Sequence, residues 1–150
     1  MTIAELYRRV NELDIKSNLP IAVAETSYAI AELNKLQLSE GKYRTGEYLN
    51  PLYSNPFYAN YKQGLNSTPP SGVPDLRLTG SFYDAFHVNL DGMYYEIDST
   101  DNKSEELKEK YSDDIFGLSE ENKAIYALEY LFDEIAKYIT SETGLGFSNV

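Results

Sequence analysis

Residues 74–99, PDLRLTGSFYDAFHVNLDGMYYEIDS, change periodicity twice, and the rest of the chain can be placed around those changes. Pro74 closes a turn-rich stretch, Leu76 and Leu78 lead in, and Thr79-Gly80 opens a short helix carrying Phe82, Tyr83 and Phe86 at helical spacing. The period then drops to two. His87 to Leu90 and Met93 to Ser99 flank Asp91-Gly92, a pair that favours a type I′ hairpin because both central residues tolerate positive φ. Alternation places Met93, Tyr95 and Ile97 on one face and Tyr94, Glu96 and Asp98 on the other, so the hairpin is half-buried and needs a helix to cover it.

Downstream, SEELKEKY (104–111) reads as a short charged helix with Ser104 as cap and Leu107 and Tyr111 as apolar anchors. DDIFGLSEEN (113–122) turns into a long last helix. There Ser119 is the expected N-cap, and Glu120 and Glu121 sit in the first turn, where the helix dipole favours acids. Ile125, Leu128, Phe132, Ile135 and Ile139 recur at spacings of 3 and 4 as its apolar stripe, widened by Leu131 and Tyr138. This helix is expected to pack on the hairpin.

Upstream, Ile3, Leu6, Tyr7, Val10 and Leu13 form one stripe of an amphipathic helix. Pro20 fits the first turn of a second helix capped by Ser17 or Asn18, ending near Leu38, where Gly41 stops it. Its Ala22, Ala24, Ala29 and Ala31 allow close approach from more than one side. Between Gly41 and Pro74 turn signals replace periodicity, and the segment carries Tyr43, Tyr48, Tyr53, Phe57, Tyr58 and Tyr61. Such a long aperiodic segment is expected to be an extended arm with one helical turn near Phe57 to Lys62. Tyrosine suits it to packing against another protein, or equally to covering the chain's own core. The resulting fold class is α+β in a single domain: helices over 1–40, a Tyr/Pro-rich arm over 41–75, an α+β core over 76–140 and a flexible tail over 141–150.

Composition excludes several functions. The 150 residues carry 24 acids against 13 bases, a formal charge of −11, and no basic cluster free of acids longer than Arg8-Arg9. Sequence-specific nucleic-acid binding and attachment to anionic membranes are therefore disfavoured. Cysteine is absent, which removes disulfides, thiolate metal sites and cysteine nucleophiles. With no apolar run of membrane-spanning length and no leader pattern, the expectation is synthesis in the cytoplasm.

The motifs of catalysis and metal binding are also missing. Asp98, Thr100, Asn102 and Glu109 imitate the first, third, fifth and twelfth positions of a calcium loop, but Lys103 stands where the sharp turn requires glycine. His87 is the sole histidine. The run GLGFSN at 144–149 lacks both a third glycine and a preceding strand, so it is not a dinucleotide loop. Asp113-Asp114 and Glu120-Glu121 read as turn and helix-start acids. No catalytic, cofactor-binding or metal-ligating residue is nominated, and the chain is expected not to be an enzyme.

The order of features resembles the tail-completion and head-to-tail joining proteins of tailed bacteriophages. In that family a Leu-x-x-Thr-Gly-x-Leu motif opens a small helix before a strand pair, and a Gly-Leu-Ser turn opens the final helix. Leu76, Thr79, Gly80 and Phe82 match the first element, with Phe82 in place of the aliphatic; Phe116, Gly117, Leu118 and Ser119 match the second. YSNPFYANYK (53–62) and KYSDDIFGL (110–118) also look like virion proteins of phages of gut bacteria, including crAss-like ones. The likeness covers about residues 50–140. The N-terminal half, with two helices and no strand, leaves terminator, stopper and neck-ring positions open.

The resemblance implies a non-enzymatic component of the virion neck or tail junction. It would form a cyclic homo-oligomer, hexamer or dodecamer, and contact adjacent portal, adaptor or tail proteins through the tyrosine-rich arm. The acidic surface would suit the wall of a DNA conduit, or simply solubility. A different class fits the charge as well: a small acidic inhibitor or immunity-type protein whose negative face blocks a basic partner. Self-association separates the two.

Overall fold

The computed structural model describes residues 1–147. Helices α1 (Ile3–Asn11) and α2 (Ile15–Ser39) are followed by α3 (Pro56–Leu65) and the single turn α4 (Ser81–Asp84). The antiparallel strands β1 (Phe86–Asp91) and β2 (Tyr94–Ser99) come next, then α5 (Ser104–Tyr111) and a 3-10 turn at Asp113–Ile115. The last helical rod runs unbroken through α6 (Glu120–Ile125), a π-helical segment (Tyr126–Leu131) and α7 (Phe132–Thr143). The class is α+β.

Helix α2 is the spine. β1 packs on it, and the π segment and α7 lie along it, with α1 closing against α7. Ile30 and Leu38 of α2 are fully buried, as are Leu49 and Ile115 from other parts of the chain; side chains of this size contribute about 1.5–3 kcal/mol each when removed from water. The hairpin thus rests chiefly on α2 and not, as expected, on the final helix, which it meets near Tyr95, close to Lys123 and Tyr126. Phe82, Tyr83, Phe86 and Phe116 form one aromatic node, with ring centroids 5.0 Å apart for Phe82–Phe86 and 5.4 Å for Phe86–Phe116. Phe86 reaches it from β1 rather than from the small helix.

Helix α2 begins five residues before Pro20. Asp14, inside the polar break, caps it by accepting from the Ser17 N–H at 3.0 Å, and Ser17 and Asn18 are helical. Pro20 lies in the second turn, where its missing N–H costs one intrahelical bond. In the hairpin the register pairs Asp91 with Tyr94, so the two-residue loop is Gly92-Met93 instead of Asp91-Gly92. Only its first residue has positive φ (Gly92, +61°), the requirement of a glycine-first turn and not of type I′. The inward residues of β2 are still Tyr95 and Ile97, now joined by Ser99. Helix α5 has the expected bounds, but Ser104 is its first residue, buried, and makes no capping bond; Asp101 Oδ1 accepts the Lys103 N–H instead.

The final helix departs most from its expected stripe. The π segment inserts extra residues per turn and rotates the helix beyond it. Tyr126 is buried, its hydroxyl 2.7 Å from Thr26 Oγ1 on α2, while Leu128 and Phe132 are 72% and 53% exposed. Ile125, Leu131, Ile135, Tyr138 and Ile139 are half-buried. Helix α7 continues to the fully buried Thr143 and stops at Gly144 (φ +75°), so the expected tail begins three residues later; positions 148–150 lie outside the described residues.

Segment 41–75 does not extend as an arm. Gly41 takes positive φ after α2, and a Cβ there would stand 2.5 Å from Val73 Cγ1, so only glycine lets the end of the segment cross this helix terminus. Leu49 N–H donates to Gly41 O at 2.7 Å, Tyr53 N–H to Gly72 O at 2.9 Å, and Arg44 pairs with Asp114 at 2.7 Å. The segment is a folded layer built around α3, which is ten residues long and capped by Asn55, whose Oδ1 accepts from the N–H groups of Phe57 and Tyr58.

Candidate functional site

Lys62 of α3 and Asp75 of the returning loop form an ion pair at 2.7 Å, their side chains 7% and 5% exposed. A charge pair out of water holds only if its remaining valences are met. Lys62 Nζ also donates to Arg77 O, and Asp75 accepts from Asn66 Nδ2 and from the Arg77 N–H, both at 3.1 Å. Tyr53 lies 3.5 Å from Asp75 Oδ1, and the Tyr83 hydroxyl donates to Asp75 O. Burial, reinforced by the Asp75 carboxylate, pushes the hydroxyls of Tyr53 and Tyr83 well above the ordinary tyrosine range. Both therefore remain neutral donors. The network pins α3 to the loop that leads into α4, where Leu76 adopts a left-handed conformation (φ +55°).

That loop, the tyrosine-rich layer and α5 enclose an open, mainly apolar cleft of about 520 Å³. Pro51, Leu52, Tyr53 and Tyr58 form one wall; Leu76, Thr79, Gly80 and Phe82 form the floor; Leu107 and Tyr111 of α5 form the other wall. Its size is in the range of clefts that hold a ligand or a few side chains of a partner, roughly 300–1,000 Å³. Leu52 and Leu78 at its lip are more than half exposed. Gly80 (φ +92°) starts α4 and turns Phe82 from the floor into the aromatic node; a Cβ there meets nothing closer than 3.7 Å, so its requirement is conformational.

The cleft brings together Tyr53 and Tyr58 of the six aromatic positions with all four residues of the first motif: Leu76, Thr79, Gly80 and Phe82. Phe57 and Tyr61 point outward on α3, at 86% and 59% exposure, Tyr48 is half exposed and Tyr43 packs on the core. The second motif has a different position. Gly117 O accepts from Gln37 Nε2 at 3.2 Å, Gly117 N–H donates to Asn34 Oδ1 at 3.0 Å and Ser119 N–H to Gln37 Oε1 at 2.8 Å. Phe116 and Leu118 are buried, so this turn is clamped in the core, touching the first motif through Phe82 and Phe116 at 5.9 Å. Ser119 caps α6 as expected, accepting from the Asn122 N–H at 3.2 Å.

Charge at the cleft inverts that of the chain. Arg77, Lys103 and Lys110 line it against a single acid, Glu106. Among the described residues nine of the 13 Lys and Arg side chains are in ion pairs, and these three, with Lys16, are the ones that are not. Sequence reading missed them because only tertiary structure decides which charges are paired and brings Arg77 to the same cleft as Lys103 and Lys110, and it missed the buried Lys62–Asp75 pair for the same reason. Among the described residues no cluster of three or more metal-ligating side chains occurs and no helix is long and apolar enough to cross a membrane.

No protein-family model, curated protein or solved structure matches the chain.

Proposed function

We propose that this chain is a non-enzymatic assembly protein, a head-tail connector or tail-completion component of a tailed-phage virion that joins portal or adaptor to tail. The observation that carries the reading is convergence. The turn motif on which the family resemblance rests and the tyrosine-rich segment, separate in sequence, build the two faces of one open apolar cleft. Exposed apolar side chains continue beyond it at Phe57, Tyr61 and Leu65 of α3. A surface of this kind, aromatic at its centre and charged at its rim, suits protein–protein contact. The buried Lys62–Asp75 pair ties the tyrosine-rich wall to the loop that leads into α4, which lowers the ordering cost of association.

The function is tested by quantitative mass spectrometry of particles purified from the phage encoding the chain. A fixed copy number per portal ring, retained through gradient purification and lost with detachment of the tail, is expected. Absence from purified particles overturns the reading.

A further inference from the structure

The three unpaired cations at the cleft and the outward turn of the π-helical rod are separate observations that fit each other. Leu128 and the half-exposed Phe132, whose ring meets Phe147 edge-on at 6.2 Å, lie beside Glu129 and Asp133 on the same exposed face. Among the described residues neither acid is in an ion pair. This face is apolar with negative flanks; the cleft is apolar with positive flanks, Lys103 and Lys110 on one side and Arg77 on the other.

We infer that the cleft of one copy receives the Leu128–Asp133 face of a second copy, with Leu128 and Phe132 entering the apolar floor and Glu129 and Asp133 meeting the cleft's cations. The two surfaces share no residue and no secondary-structure element, so each copy can offer one to each neighbour. Contact is therefore heterologous, head to tail, and closes into a ring when the rotation permits. Charge complementarity of this kind suppresses the wrong pairing, cleft on cleft or rod on rod, because each would oppose like charges. The π segment acquires a role: an uninterrupted α-helix would place Leu128 and Phe132 on the stripe shared with Ile125 and Ile135, directed at α2. This inference rests on the assembly reading and names its interface.

Sedimentation velocity over a concentration series tests it. The chain is expected to self-associate, and either K103E/K110E or E129K/D133K to weaken association by about tenfold or more, as opposing like charges across an interface implies. The four-substitution chain K103E/K110E/E129K/D133K is expected to regain most of the loss, because the pairs are re-formed with signs exchanged. All four positions are exposed, so circular dichroism should stay unchanged. A chain that remains monomeric, reversals without effect, or a combined variant no better than either parent would each overturn the inference. A monomer that still enters purified particles would remove this interface and leave the connector reading standing; a monomer absent from them would remove both.

Discussion

Replacing Lys62 by methionine keeps the length of the side chain and removes its charge. Asp75 would then keep its bonds from Asn66 and the Arg77 N–H, but its carboxylate, 5% exposed, would lose its counter-ion 2.7 Å away. Breaking a buried pair from one side costs about 3–5 kcal/mol, because a buried charge is left uncompensated. For a chain of this length each kcal/mol lowers Tm by about 2–4 °C. Urea unfolding followed by circular dichroism should therefore show K62M and D75N each reduced by a large share of the total stability, since either one leaves the other charge buried without its counter-ion. The double variant K62M/D75N should be more stable than the sum of the single losses allows, by about 1 kcal/mol or more. A K62M loss within about 0.5 kcal/mol of zero, the range of ordinary surface changes, would refute the claim that this pair ties segment 41–75 to the core.

Gly80→Val should cost about 1–2 kcal/mol in unfolding experiments, as a branched side chain forced to φ +92° requires, whereas an equal cost for Ser81→Val would point away from backbone conformation. Gln37→Leu should destabilise by about 1–3 kcal/mol for each group it strands, chiefly the Ser119 N–H and Gly117 O; a neutral result in thermal denaturation would mean that the turn at 116–119 is held by its apolar side chains alone. Deleting residues 43–61 removes Leu49, Tyr53 and most of α3's first turns, and should unfold the domain in a proteolysis assay rather than leave a soluble core. The raised Tyr53 and Tyr83 hydroxyls set the alkaline limit: the unfolded chain loses these protons from about pH 10 upward while the folded chain keeps them, so stability is intact below that pH and declines above it. Tyr53→Phe should flatten this decline, read as urea midpoint against pH.

The parts of the fold legible in the sequence are those set by local signals. The helix α1, the bounds of α5, the Ser119 cap and the pairing of two strands around Gly92 stem from periodicity and from side chains that bond their own backbone, although Ile3, Tyr7 and Val10 of the α1 stripe stay exposed. The start of α2 was hidden because Asp14 makes its capping bond within a run that reads as a polar break, and Pro20 reads more naturally as a helix opener than as a second-turn residue. Asn55-Pro56 reads as one of the turn signals of segment 41–75, although the same pair is a cap followed by a first helical residue; the ten-residue α3 hides behind it. The π segment has no period of its own in Ile125–Ile139, since spacings of 3 and 4 fit an α-helix equally well; its first residue, Tyr126, makes a long-range bond to Thr26 that no local spacing announces. For the candidate site the motif residues Leu76, Thr79, Gly80 and Phe82 were legible, and Tyr53 and Tyr58 half so. Lys62–Asp75 and the cations Arg77, Lys103 and Lys110 were not, because only tertiary structure decides which charges are paired.

The claim that this chain serves assembly through its cleft is tested most directly by its mass in light scattering, alone and mixed with the portal, adaptor and tail proteins that the connector proposal makes its partners. A discrete ring, or a monomer that enters a larger particle and is kept out of it by Leu78→Glu in the cleft, is the predicted result. A monomer that joins none of these proteins, or a particle that forms equally well with Leu78→Glu, would contradict it.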